Sequence, residues 1–390
     1  MKIVQINSTS GVGSIGKICE AVSSMLSKRG VENYIFYTQG DSLFSQSIRY
    51  ASKLEIKFLA LKSRILGNYG FNSSFITKRL ITQLEVIRPD IVHLHNLHSH
   101  NCNIEMLMEY LKEHKIKTFW TFHDCWAFTG YCMYFDMVSC DKWKDECHAC
   151  PLSKKYSWFF DRSEYLFSKK KDVISGLDLT IITPSVWLSE LVKQSFLRYY
   201  PTKVINNGID MSVFKHRNSD FRLKHNCEDK FIILGVAMGW EKRKGLDTFI
   251  RLSKDLEDSF KIVLVGTNKN KDKVLPDNII SINRTENQIQ LAEIYSSADL
   301  FVDPTMEDNY PTTHLEAIAC GTPVITYNSG GSAEMINERC GIIIEKGSYE
   351  ELLKAIISCK SNYKFNREAC LLTAKSFSQE IAFKKYIDLY

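Results

Sequence analysis

No apolar run in this chain approaches the roughly 18 residues that a bilayer-spanning helix needs, so no part of it is expected to cross a membrane. The N-terminus, Met1-Lys2-Ile3-Val4-Gln5-Ile6-Asn7, lacks the charged segment and long apolar stretch of a secretory signal peptide. No clustered basic-aromatic module of the nucleic-acid-binding kind appears, and a net charge of +5 is small for 390 residues, which argues against nucleic acid as a partner. Internal repeats and low-complexity segments are missing too. In Gly11-Val12-Gly13-Ser14-Ile15-Gly16-Lys17 the lysine is followed by Ile18, so the phosphate-loop pattern of ATP-binding proteins is absent. A cytoplasmic protein is expected, with peripheral attachment to the inner face of the cytoplasmic membrane left open. The twelve cysteines are then reduced thiols or metal ligands rather than disulfides.

What is present is a globular composition, 44% hydrophobic and 24% charged, in a chain too long for one typical core. Strand-like runs alternate with helix-like runs: Ile3–Ile6, a helix from Ile18 to Arg29, then Tyr34–Tyr37, Pro89–His95, Lys117–Phe122, Thr180–Thr183 and Lys203–Ile205. A second series follows, with Phe231–Val236, Lys261–Gly266, Asp299–Val302 and Pro323–Thr326. This alternation predicts an α/β fold of two Rossmann-like domains. The boundaries are placed at 1–205, 206–374 and a terminal segment 375–390. Ligands of such folds bind beyond the carboxyl ends of the strands, and facing sheets would set the informative turns across an interdomain cleft.

The densest signal lies in residues 301–326. A strand ends at Pro304, Glu307 and Glu316 follow, and a short helix pattern stops at Cys320-Gly321 before the next strand. Pro311 suits the first helical position, because its missing N–H needs no partner there. The amides of Thr312 and Thr313 then face an anion such as a diphosphate, with Glu316 near enough to bond sugar hydroxyls. An ordinary crossover with solvated glutamates is the alternative. Arg243 and Lys244 follow a strand and Gly239, where two adjacent cations could neutralise a diphosphate leaving group. His123 ends an apolar strand and precedes Asp124, a position from which it could bond a donor sugar or steady developing charge. Among His93, His95, His98 and His100 two metal ligands are geometrically available, but buried strand-end histidines are the better reading. Asn96 and His98 are the expected acceptor contacts. The loop Gly11, Gly13, Gly16 reads as a turn that lets backbone approach donor phosphate or acceptor.

Cys132, Cys140, Cys147 and Cys150 form C-x7-C-x6-C-x2-C within a loop spanning 125–151. Four thiolates could hold a structural zinc, with Cys125 and His148 as possible substitutes. Reduced cysteines packed among Trp126, Phe128, Tyr131 and Trp143 are the alternative. Trp158, Phe159 and Phe160 lie near Lys154, Lys155 and Lys169 to Lys171, an interleaving that fits an anionic membrane surface. Residues 52–66 form a basic amphipathic helix candidate, a pattern that is usually a solvated face.

Taken in order, the N-terminal glycine loop, PDIVHLHN, TFHD, VINNGID, GWEKRKGLD, the segment from Glu307 through ACGTPV, and GG-x-x-E resemble a retaining glycosyltransferase of family 4 with the GT-B fold. HDCWAFTG followed by a Cys-rich loop is similar to bacterial cell-surface polysaccharide glycosyltransferases. The resemblance covers nearly the whole chain. It implies transfer of a hexosyl group, with retention, from a UDP- or GDP-sugar to a glycan or polyprenyl-diphosphate-linked glycan. The C-terminal domain would hold the donor and the N-terminal domain the acceptor, and the last segment would return to the N-terminal domain. Front-face attack is implied, with no cofactor or metal needed for the chemistry. His123 and Glu307 take the catalytic positions. Gly13, Arg243, Lys244, Arg284, Thr312, Thr313 and Glu316 take the donor positions, Arg284 bordering the base. The family spacing puts seven residues between its two acids, whereas eight separate Glu307 from Glu316, so Asp308 sits nearer the usual place. A nucleotide-sugar epimerase or hydrolase on this fold, or a non-catalytic nucleotide-sugar-binding partner, stay open.

Overall fold

The computed structural model describes residues 1–268, 275–362 and 365–390. The chain divides into two compact units, Met1–Asn206 with Phe383–Tyr390, and Asn207–Ala382.

The first unit is built on a seven-stranded parallel sheet: Lys2–Ile6 (β1), Glu32–Tyr37 (β2), Ser47–Arg49 (β3), Ile91–Leu94 (β4), Lys117–Thr121 (β5), Leu179–Thr183 (β6) and Thr202–Val204 (β7). Its strand order is β3-β2-β1-β4-β5-β6-β7. The second unit carries Phe231–Val236 (β8), Phe260–Val265 (β9), Ile279–Ile282 (β10), Leu300–Asp303 (β11), Val324–Tyr327 (β12) and Gly341–Ile344 (β13), in the order β10-β9-β8-β11-β12-β13. Both are Rossmann-like, and all named strand pairs are parallel. A parallel sheet must be covered on both faces, and its central strands are therefore apolar throughout. β4, β11 and β12 are buried at every residue. In β8 and β9 alternate residues feed opposite layers. Ile232, Leu234, Val263 and Val265 enter one core, while Ile233, Ile262 and Leu264 enter the other.

Three strands, β3, β10 and β13, escape the sequence reading. All three are sheet edges, where one face or end is wetted: β10 and β13 mix buried with half-buried or exposed residues, and β3 buries none. The first helix runs Gly13–Lys28, starting five residues earlier than its apolar pattern, because the glycine loop itself enters the helix. Pro311 stands just before the helix Thr312–Ala319 as its N-cap rather than as its first residue, within the one-residue latitude of helix ends.

No helix among the described residues is long and apolar enough to cross a membrane. The helix Lys53–Leu66 is closed by a Ser52–Glu55 capping box and ends at Gly67. It buries Ile56, Leu59 and Ser63 and leaves Leu54, Phe58, Leu61 and Ile65 exposed, from 39% to 77%.

Candidate functional site

In each sheet the strand order reverses once, and ligands of such folds gather where the loops leave the two strands at that reversal. In the second unit the reversal lies between β8 and β11. The loop after β8 carries Arg243 and Lys244 in a short 3-10 turn ended by Gly245. The loop after β11 carries Glu307, Asp308 and Pro311, and opens the helix Thr312–Ala319.

These two loops are joined by charge. The Lys244 ammonium lies 2.5 Å from Asp308 Oδ2, and Arg243 Nη1 lies 3.7 Å from the same oxygen. Arg243 also donates to the Glu307 carbonyl at 3.0 Å, and the Met306 N–H donates back to the Arg243 carbonyl at 2.8 Å. The carboxylate that meets both cations is thus Asp308. Burial alone would lower the Lys244 pKa, but the facing Asp308 and Asp303 outweigh it and raise it. Asp303 is itself buried. Lys244, His314 and Thr305 overcome that burial and hold its carboxyl far below the usual carboxylate range. His314 Nε2 approaches Asp303 Oδ2 at 2.8 Å, which pins the helix to β11.

Backbone shape sets the place of Asp308. Gly330 has φ +58°, and a Cβ there would stand 1.7 Å from the Asp308 carbonyl oxygen. Gly245, at φ +74°, would bring a Cβ within 2.7 Å of Pro304. Only glycine lets these turns approach so closely. Thr312 and Thr313 occupy the first turn of the helix, at the positive end of its dipole. Glu316, one turn further on, accepts a hydrogen bond from the Tyr295 hydroxyl at 3.1 Å. Arg284 stands apart. It is exposed in the turn between β10 and the helix Gln288–Ser297, and makes no ion pair among the described residues.

In the first unit the reversal lies between β1 and β4. The loop after β1 leads into Gly13, the first residue of its helix, and apart from its chain neighbours and its own helix backbone no atom lies within 4 Å of where a Cβ on it would stand. The loop after β4 carries His95, Asn96 and His98, and neighbouring β5 is followed by His123 and Asp124. His95 Nδ1 and His123 Nε2 lie 3.1 Å apart, with the rings stacked. His95 Nε2 lies 3.1 Å from Gln5 Oε1, while the Gln5 amide nitrogen donates to the Cys19 carbonyl at 2.9 Å. A carbonyl accepts only, so one proton order satisfies the chain. His95 carries its proton on Nε2 and donates to Gln5. Its Nδ1 then accepts from His123, whose proton sits on Nε2 and whose acceptor nitrogen is Nδ1. Burial pushes the His123 pKa down to about 4, with Asp124 opposing and His98 assisting. His93 is lowered to about 3 by burial and the nearby His123, and burial takes His95 well below the usual range.

Asp124 is held by His98 Nε2 at 2.8 Å and by the Trp126 N–H at 2.9 Å. Burial would raise its carboxyl, but these neighbours outweigh it and lower it. The other ring nitrogen of His98 meets the Tyr69 hydroxyl at 3.3 Å, so both its nitrogens face protein groups and it acts on Asp124. The backbone of Asn96 is fixed by Asn7 and Asn101, and its side chain is partly exposed. His93 sits beneath, between Thr121 Oγ1 and the Tyr390 hydroxyl.

Sequence reasoning missed the part played by Gln5. Its signal was a polar residue inside the apolar run of β1. It also placed Lys170 in a surface patch, whereas Lys170 is fully buried and Lys169 pairs with Glu105 at 2.6 Å. The helix between Arg162 and Ser175 turns Lys170 inward. Cys132, Cys140, Cys147 and Cys150 line one small cavity. Among the described residues no three His, Cys, Asp or Glu side chains stand in a metal-holding arrangement.

Comparison with known proteins bears on this geometry. Residues 15–213 match the family described as Glycosyltransferase Family 4, and residues 218–370 match Glycosyl transferases group 1. WcaC of Escherichia coli (strain K12), named as a colanic acid biosynthesis glycosyl transferase, is 25% identical over 380 residues, covering 91% of this chain and 89% of that protein. WclY of Escherichia coli, an O-antigen biosynthesis glycosyltransferase, is 25% identical over 204 residues, covering 47% of this chain and 56% of its own. Among solved structures, HepE of Anabaena in complex with UDP-glucose superposes with a TM-score of 0.71 at 13% identity, covering 100% of this chain and 99% of that one. Sucrose-phosphate synthase from Thermosynechococcus elongatus has a TM-score of 0.71 at 16% identity, with 100% and 98% covered.

Proposed function

The chain belongs to glycosyltransferase family 4 and has the GT-B fold, and on that premise we propose that it moves a hexosyl group, with retention, from a uridine diphosphate sugar to a lipid-linked glycan. Its relatives act in colanic acid and O-antigen biosynthesis, and it is a glycosyltransferase of cell-surface polysaccharide assembly. Uridine is preferred over guanosine because HepE, of the same fold, was solved with UDP-glucose.

The observation that carries the reading is the cluster of Arg243, Lys244 and Asp308 at the strand reversal of the second unit, beside the first turn of the helix Thr312–Ala319. Cleaving a sugar–diphosphate bond loads negative charge onto the leaving oxygen. Two fixed cations and a helix N-terminus stabilise that charge without reorganising. This chemistry requires no metal. Glu316, already an acceptor for Tyr295, bonds the ribose hydroxyls. Asp308, with seven residues between it and Glu316, contacts the donor sugar hydroxyls, and Glu307 supports Arg243 through its carbonyl. In the first unit a neutral His123 offers Nδ1 to a sugar hydroxyl, and Asn96 contributes to acceptor binding. The leaving phosphate takes the acceptor proton.

A specific surface supports a membrane-borne acceptor. At about 100° per residue, Leu54, Phe58, Leu61 and Ile65 fall on one stripe of their helix, flanked by Lys57, Lys62 and Arg64. The Trp158 N–H donates to the Arg64 carbonyl at 2.8 Å, which brings the exposed Trp158, Phe159 and Phe160 to the end of that stripe. Apolar side chains edged by cations match an anionic bilayer.

Slow hydrolysis of UDP-sugars in the absence of acceptor tests the enzyme. Release of UDP that disappears in Lys244→Ala is the expected result. Nucleotide-sugar binding without turnover across lipid-linked acceptors would instead identify a binding module.

A further inference from the structure

The loop that leaves His123 and Asp124 runs to Asp161 with only short 3-10 turns and one four-residue helix. It nonetheless buries Trp126, Phe128, Tyr131, Phe135 and Trp143. A long irregular segment needs something besides backbone ladders to hold it. Cys132, Cys140, Cys147 and Cys150 all line one small cavity of the loop. Cys132 Sγ and Cys150 Sγ are 3.9 Å apart. Metal–sulfur bonds of about 2.3 Å at tetrahedral angles separate two ligand sulfurs by about 3.8 Å.

The surroundings of the cavity suit negative charge. The Gly130 N–H donates to Cys147 Sγ at 3.3 Å. The Trp143 indole N–H is buried and has no hydrogen-bond partner among the described residues, and its side chain lines the same cavity. Lys170 is fully buried and makes no ion pair among the described residues. Its Nζ donates to the carbonyls of Trp126, Thr129 and Gly130 at 2.7, 2.8 and 3.3 Å and lies 3.8 Å from the centre of the Trp126 ring, and burial lowers its pKa to about 7. A buried cation that meets only neutral carbonyls and an aromatic face is costly, and a dianionic metal centre nearby offsets that cost.

We propose that Cys132, Cys140, Cys147 and Cys150 bind one structural zinc ion as thiolates, and that Lys170 and the Gly130 and Trp143 N–H groups balance the charge of the centre. No three of these sulfurs yet surround a common point, so Cys140 and Cys147 turn inward as the ion binds and the thiol protons leave to solvent. The centre braces the segment that leaves the carboxyl end of β5. Lys170 holds the Trp126 carbonyl, Trp126 donates to Asp124, and Asp124 engages His98.

The test uses the full chain, purified reduced and without chelator from zinc-supplemented cells. About one zinc per chain is expected. Exchange with cobalt should give the sulfur-to-metal charge-transfer band and the strong visible bands of a tetrahedral thiolate site. Cys147→Ser and Cys150→Ser should abolish both signals, Cys227→Ser should keep them, and Lys170→Met should weaken zinc affinity about tenfold or more. If the serine variants fail to fold, the wild-type cobalt spectrum still decides. A folded wild-type chain that takes up neither zinc nor cobalt overturns the proposal. So does a Cys132–Cys150 disulfide found by non-reducing peptide mapping of that chain.

Discussion

Lys244 and Asp308 meet at 2.5 Å across the two loops that leave β8 and β11. The pair links the residue proposed to carry the leaving diphosphate with the residue proposed to touch the donor sugar. Removing the acid leaves a buried cation without its partner, which is costly, and also frees that cation for phosphate. Asp308→Asn should therefore lower the melting temperature without nucleotide, recover most of the loss in saturating UDP, and reduce turnover at least tenfold. Glu307→Gln should change these quantities much less. Equal effects of the two substitutions in thermal-shift and rate measurements would return the sugar contact to Glu307.

Lys244→Ala should lower kcat about 100- to 1000-fold, the usual cost of losing one preorganised stabiliser of developing charge. The KM for the donor should rise less. A variant with unchanged kcat and a raised KM would place Lys244 in ground-state binding only.

The proton order from Cys19 through Gln5 and His95 to His123 predicts a spectroscopic signature. Two-bond nitrogen–proton correlation spectra should show both His95 and His123 protonated on Nε2 at neutral pH. Gln5→Leu removes the acceptor for His95 and should scramble the His123 tautomer. The cost should appear in kcat more than in donor KM. A His123 protonated on Nδ1 in the unaltered protein would refute the assignment.

Acid should destabilise the first unit early. His123 is held near 4 and His93 near 3, against 6.5 as the ordinary value, and His95 is lowered as well. Their neutral forms are native, so unfolding takes up protons only below about pH 6.5. The stability they contribute is fully present above 6.5 and is lost as pH falls toward 4. Each group adds a slope of about 1.4 kcal/mol per pH unit within that window. Urea unfolding followed by first-unit tryptophan fluorescence should show a falling midpoint from pH 6.5 to 4.5. His93→Gln should flatten the slope by about one proton. A midpoint that is constant over this range would contradict the neutral histidines.

Sedimentation with anionic vesicles should retain the protein at low salt and release it as salt rises. Phe58→Ser with Leu61→Ser should weaken binding at least tenfold while leaving hydrolysis of the soluble donor intact. Binding that is unchanged by both substitutions would move the surface elsewhere.

Much of the fold is legible locally. Parallel strands buried on both faces are short continuous apolar runs, and glycines mark the turns between them, so both sheets can be read from the chain. The edge strands β3, β10 and β13 cannot, because half-wetted edges lose that pattern. The helix beginning at Thr312 and the cation pair Arg243-Lys244 are likewise local, since each needs only a few neighbouring residues. Helical periodicity in residues 52–66 is equally plain, but which apolar stripe stays in water depends on what packs against the helix.

Partners between loops are another matter. Whether Glu307 or Asp308 turns to Lys244 depends on the rotation of an irregular segment, which is set by the Gly330 turn pressing on the Asp308 carbonyl. The link from Gln5 through His95 to His123 exists because β1, β4 and β5 are neighbours in the sheet, and sequence spacing says nothing about that order. Lys170 looks like one charge in a basic run, and only helix rotation against the loop buries it. Sequence by itself therefore determined which residue types gather at the carboxyl ends of the strands. Tertiary structure decided which of them face one another, because pairing depends on strand adjacency and side-chain direction rather than on distance along the chain.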